Sequence, residues 1–167
     1  MNDLLKSVLV LVLVTVISTS TLAFVYKFTS PLIEERRKSA YESELAVLFP
    51  GFDVVVEKPG FVEVYRSGSL VGYVVKSVAK GYAGDIVLVV GLNLEHAVVG
   101  VSVISQTETP GVGSRIAGKN FISQFVGKSI PDIALRKYGG SIDAITGATI
   151  SSRALTESVR ESVEKIT

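Results

Sequence analysis

The chain has no cysteine and a single histidine, His96, among its 167 residues. Without cysteine it has no thiol nucleophile, no zinc–thiolate site, no iron–sulfur ligation and no disulfide of its own. The absence also removes a lipid-bearing cysteine at the N-terminus. With one histidine, a serine-protease-like triad would need His96 as its base, and the sequence puts His96 in a turn far from the hydroxyl-rich segment discussed below. Charge of one sign is lacking as well. Lys and Arg number 17 against 16 Asp and Glu, a net charge of +1, so nothing favours nucleic acid as a partner. The glycine-rich loop Glu108–Gly113 has neither GxGxxG spacing nor a terminal Gly-Lys-Ser/Thr, so it is not the phosphate-cradling fingerprint of nucleotide folds. No metal-ligand cluster is expected. Outside one apolar run there is no internal repeat or low-complexity tract.

What the chain has in excess is apolar sequence at its front. Hydrophobic residues make up 47% of the whole. From Val8 to Tyr26, "VLVLVLVTVISTSTLAFVY", nothing is charged, and Lys6 and Lys27 bracket the run. As a helix these about 19 residues span roughly 28 Å, close to the hydrocarbon thickness of a bilayer. The run is longer than the apolar core of a signal peptide, and "TLA" at Thr21–Ala23 is a poor cleavage site. The expectation is an uncleaved tail and anchor over 1–29. A plain positive-inside count sets Lys6 against Lys27, Arg36, Arg37 and Lys38, which would leave the larger part of the chain in the cytoplasm. Glu34 and Glu35 interrupt that cluster.

The rest reads as one α+β domain with antiparallel strands. A connecting helix is expected over 30–50, with Pro31 near its start and Pro50-Gly51 as its stop. Tyr41, Leu45 and Leu48 recur at helical spacing, and the charges form a solvated face. Within 51–167, "FVEVYRSGSLVGYVVKSVAKGY" reads as a hairpin turning at Ser67-Gly68. "DIVLVVGLNLEHAVVGVSVISQ" reads as a second, turning around Asn93–His96, with His96 solvated. A short helix is expected over Lys119–Val126. The last helix runs from Ser151 to Ile166, with Ile150, Ala154, Val159, Val163 and Ile166 as its buried stripe.

Two loops could carry chemistry. "ETPGVG", Glu108 to Gly113, leaves a strand through a fixed proline and two glycines that permit close backbone approach. It is either a plain turn or a ligand loop. "DAITGATISSR", Asp143 to Arg153, sets Thr146, Thr149, Ser151 and Ser152 around Gly147-Ala148 just before the last helix. Either Thr146 or Thr149 caps that helix, or the helix N-terminus holds an anion, with Gly147 and Ala148 keeping bulk away.

"DAITGAT", Asp143 to Thr149, resembles the flavinylation motif of the FMN-binding domain family, Asp-x-x-(Ser/Thr)-Gly-Ala-(Thr/Ser). "ETPGVG" is similar to the family's Glu-Thr-Pro-Gly-Leu/Met-Gly, with Val112 at the variable apolar position. "GYAGDI", Gly81 to Ile86, is similar to a third family segment. The resemblance implies covalent FMN on Thr149, joined through a phosphoester made by a separate flavin transferase with FAD as donor. It implies Asp143, Thr146, Gly147 and Ala148 as the rest of the flavinylation motif. The same likeness implies Glu108, Thr109, Gly111, Gly113, Tyr82, Thr146, Gly147 and Ala148 around the cofactor. The compact length is most similar to the G subunits of Rnf-type ion-translocating ferredoxin:NAD oxidoreductases, and next to the C subunits of sodium-pumping NADH:quinone oxidoreductases. The implied role is electron relay in a complex with other membrane subunits, with no catalytic residue in this chain. The implied site is the inner, cytoplasmic membrane, crossed once and in contact with lipid, with the soluble domain outside the cytoplasm, against the charge count. A related flavoprotein outside a pump is a further reading. So is a membrane-tethered binding module without flavin.

Overall fold

The computed structural model describes residues 2–167. The chain divides into two units, 1–39 and 40–167. Helix α1 (Asn2–Leu48) makes up the first and opens the second. From Asp3 to Ile33 it is long and apolar enough to cross a membrane. Over that stretch its Leu, Val, Ile and Phe side chains are exposed, and a helix apolar all round needs lipid or a protein core. Thr15, Thr19, Thr21 and Thr29 donate to the carbonyls of Leu11, Thr15, Ile17 and Val25 at 2.7–2.8 Å, so their hydroxyls need no water. Pro31 lies inside α1 and starts no new helix. It forfeits one backbone bond, but helix-favouring Leu, Glu, Arg and Lys follow it and the helix continues. The side chains of Glu34, Arg37 and Lys38, part of the expected solvated face, lie outside the described residues.

In the second unit five strands form an antiparallel meander in the order β1 (Val54–Lys58), β2 (Phe61–Arg66), β3 (Ser69–Lys80), β4 (Asp85–Leu92) and β5 (Val98–Gln106). Period-two alternation divides the sheet into two faces. Val64, Val74 and Val89 pack under Leu45, Leu48 and Phe49 from the end of α1. Val75, Leu88 and Val90 face the larger core. Both expected hairpins form. Ser67 and Gly68 have φ of 51° and 76°, the paired positive values of a tight two-residue turn. In the β4–β5 turn, Asn93 Oδ1 accepts from the Glu95 and Ala97 amides at 3.0 and 2.9 Å. His96 is half-buried, edge-on to Tyr73 at 5.8 Å, and so is not simply solvated.

Strand β1 was not anticipated. It pairs with β2 through a turn at Pro59-Gly60, and its valines lie on an exposed edge. The signals were a run of three valines followed by Pro-Gly. The helix expected over Lys119–Val126 is shorter: α2 (Lys119–Ile122) passes into a 3-10 turn at Ser123–Phe125. There Phe121 and Phe125 meet edge to face at 5.6 Å in the core.

Helix α3 (Thr149–Glu164) starts two residues earlier than expected. Of the expected stripe, Val159 and Val163 are buried and Ala154 and Ile166 pack against the core, while Ile150 does not. Leu155, Val159 and Val163 are buried together with Ser151, Ser152, Thr156, Ser158 and Ser162, while Ile150 is 50% exposed. The small hydroxyl residues let the helix lie close on β3, where Ser77 Oγ and Ser158 Oγ are 2.8 Å apart. Thr156 and Ser162 donate to the carbonyls four residues back at 2.7 Å, which satisfies buried hydroxyls without a partner across the interface.

Candidate functional site

The N-cap of α3 is Ala148, and no side chain caps the helix. A methyl group accepts nothing, so neither Thr146 nor Thr149 fills the capping role. The first-turn N–H groups have no acceptor within the helix. Together with the macrodipole they make this end favourable for an anion. Gly147 has φ of 82°, a left-handed turn that glycine adopts freely. The Ala148 amide donates to Ile145 O at 2.9 Å and the Ile145 amide to Ser152 Oγ at 3.1 Å. These bonds fold the motif loop back over the start of α3.

A cavity of about 380 Å³ opens at this helix start, within the range of small-ligand sites. Three segments far apart in sequence meet there. The turn before β4 brings Tyr82. The loop after β5 brings Glu108, Thr109, Val112 and Gly113. The α3 start brings Gly147, Ala148, Thr149, Ile150 and Ser151. Tyr82, Val112 and Ile150 give aromatic and aliphatic wall, and all three are exposed. Thr149 is also exposed. Val112, Ile150 and Ser151 were missed by sequence reasoning. Val112 stood inside a quoted motif, and the other two directly follow Thr149.

Glu108 ties the three segments together. It is 5% exposed. Its Oε1 accepts from the Ala83 amide at 3.1 Å, and its Oε2 accepts from the Ser151 hydroxyl at 2.6 Å. The second is a charge-assisted length. Its own amide donates to Gln106 Oε1 at 2.6 Å. A Cβ on Gly113 would lie 2.7 Å from Glu108 Oε2, and one on Gly81 would collide with Oε1. Those two glycines make room for the carboxylate.

Asp143 and Thr146 do not reach this cavity. They line a second one of about 580 Å³ on the other side of the loop, with Arg115, Lys119 and Gln124. The Asp143 amide donates to Gln124 Oε1 at 2.7 Å, and Arg136 Nε lies 2.8 Å from Asp143 Oδ1. Both side chains of that ion pair are more than half exposed, so it adds little stability. Gly111 lines neither cavity. At φ of 77°, with its amide donating to Ser114 Oγ at 2.9 Å, it shapes the loop.

The first cavity suits a ligand with a flat apolar part and an anionic end. FMN has both, and the uncapped helix start, the exposed Thr149 and the wall of Tyr82, Val112 and Ile150 fit it.

Residues 81–164 match the model of the FMN-binding domain. Over 157 residues the chain is 32% identical to the G subunit of the proton-translocating ferredoxin:NAD(+) oxidoreductase complex of Clostridium ljungdahlii, with 90% of this chain and 85% of that one covered. It is 31% identical over 179 residues to the G subunit of the ion-translocating oxidoreductase complex of Methanosarcina acetivorans, with 99% and 95% covered. Among solved structures, it resembles the C subunit of the Na(+)-translocating NADH-quinone reductase of Parabacteroides distasonis, with a TM-score of 0.52 and 25% identity. That match covers 62% of this chain and 58% of the solved one. The Shewanella oneidensis NqrC shares the fold at a TM-score of 0.52 and 23% identity, over 67% and 63%. The chain thus spans less than two thirds of either solved chain.

Proposed function

Because the chain belongs to the FMN-binding domain family, we propose that it is a membrane-anchored flavoprotein subunit that carries FMN on Thr149 and relays electrons. The complex would be an ion-translocating ferredoxin:NAD oxidoreductase of the Rnf type. The observation that carries this reading is the meeting of three motif segments on one cavity at an uncapped helix start, with Thr149 exposed in its wall. Near full-length likeness to two G subunits supports the choice of complex. Likeness to the C subunits of sodium-translocating quinone reductases supports a second reading, but over a smaller share of the chain.

In the maturation step, Thr149 Oγ forms a P–O bond to the FMN phosphorus of FAD, supplied by a separate flavin transferase. The anhydride bond to AMP breaks, AMP leaves, and the hydroxyl proton passes to water. The helix start offers backbone N–H groups to the phosphate. Tyr82, Val112 and Ile150 offer apolar surface to the ring, and the ester prevents loss of the cofactor by dissociation. Bound FMN supplies the one- and two-electron chemistry, while the chain supplies position and electrostatics. The apolar helix anchors the chain in the cytoplasmic membrane, crossing it once, with the domain outside the cytoplasm and other subunits of the complex beside it. Asp143 and Thr146, on the far side of the loop, are read by the transferase. The test is in-gel fluorescence of the denatured full chain after co-expression with the transferase. A fluorescent band supports the reading, and a dark band at equal loading removes it.

A further inference from the structure

Glu108 is an acid in a place where acids are costly. A buried carboxylate is tolerated when its oxygens are bonded. Here both are, to the Ala83 amide and the Ser151 hydroxyl. Both donors are neutral. No lysine or arginine lines the cavity, and among the described residues no ion pair involves Glu108. Each oxygen accepts one bond from the protein, from a different segment, so the carboxylate is fixed in the cavity wall. Gly81 and Gly113 leave space for it and for nothing larger than hydrogen at their own positions. Ser151 stands two residues after Thr149 in the first turn of α3, so the Glu108–Ser151 bond fixes how that turn meets the cavity.

We propose that Glu108 is a positioning residue: its carboxylate latches the turn before β4 to the first turn of α3, holding Thr149 in register. Its charge, facing no cation, opposes the electrons the cavity receives. The proposal rests on the reading of this cavity as the FMN site. A negative charge on a carboxylate only 5% exposed is weakly screened by water and acts strongly over a few ångströms. It favours the oxidised flavin and so lowers its midpoint potential.

Glu108→Gln separates the two effects. Its amide oxygen can accept from Ala83, and its NH2 can donate to Ser151 Oγ once that hydroxyl rotates. The bonds stay and the charge goes. Glu108→Ala and Ser151→Ala break the latch. The full chain is co-expressed with a flavin transferase and purified in detergent. Covalent flavin per mole of protein is read by in-gel fluorescence at matched transferase and time. The midpoint potential is read by spectroelectrochemical titration. For Glu108→Gln, an upward shift is expected, with the reduced-to-oxidised ratio at fixed poise rising by about tenfold or more. Both alanine variants are expected to load flavin several-fold more slowly than wild type. A Glu108→Gln potential equal to wild type, or wild-type loading in Glu108→Ala and Ser151→Ala, overturns the proposal. A wild-type chain without flavin overturns the FMN reading itself, and this inference with it.

Discussion

At the scale of single residues, the hydroxyl of Thr149 is the atom on which the proposed chemistry depends. Thr149→Ala removes it and is expected to leave no covalent flavin. Thr149→Ser keeps an oxygen at the same place and should still be labelled, which in-gel fluorescence of both variants checks. Gly113→Ala places a methyl 2.7 Å from Glu108 Oε2. Relieving that contact should cost about 1–3 kcal/mol of stability and displace the carboxylate, read as a lower denaturation midpoint together with weaker flavin loading. An unchanged midpoint would mean that the loop yields freely. The motifs named Thr149, Gly113 and Gly147 by residue type at fixed spacing, and these three line one cavity. The latch between Glu108 and Ser151 was not readable in the sequence. It joins residues 43 apart, and its partner serine looked like an ordinary first-turn residue. The division of motif residues was hidden too, since Asp143 and Thr146 turn to the opposite side of a loop that one-dimensional spacing cannot show.

At the scale of elements, the sequence pattern placed Val159, Val163, Ala154 and Ile166 of α3 on the core but missed Ile150 and the buried serines. Helical spacing of apolar residues put Ile150 in the buried stripe, yet Ile150 is half exposed and Ser158 and Ser162 are buried. Serine counts as polar in a periodicity reading. Inside a helix its hydroxyl bonds to the preceding turn, and its small volume then favours close approach to a sheet. The two stripes predict different variants. Leu155→Ala, at 0% exposure, should cost about 2–5 kcal/mol. Ile150→Ala should cost no more than about 0.5 kcal/mol. Ser158→Leu, against Ser77, should overpack and cost about 1–3 kcal/mol. The chain has no tryptophan, so circular dichroism of the full chain in detergent is the suitable probe. A large loss at Ile150 with none at Ser158 would favour the stripe read from sequence. The two hairpins, by contrast, were readable from alternation and from Ser-Gly and Asn turn chemistry. Strand β1 was missed because its valines sit on an exposed edge and do not alternate.

At the scale of the whole molecule, the apolar run was the plainest signal in the sequence, and the helix that forms there is continuous through Pro31. Which side of the membrane holds the domain is a matter on which charge and family likeness disagree. The absence of cysteine makes a clean test possible. A single Lys165→Cys near the C-terminus, exposed in the structure, should react with a membrane-impermeant maleimide in intact cells. Reaction only after the cells are opened would put the domain in the cytoplasm, as the charge count has it. The most direct measurement for the proposed function is the intact mass of the full chain purified after co-expression with a flavin transferase, followed by peptide mapping. The expected mass is that of the chain plus one FMN less one water, with the added mass on the peptide containing Thr149 and missing in Thr149→Ala. A mass equal to the bare chain, or flavin that persists in Thr149→Ala, would contradict the assignment.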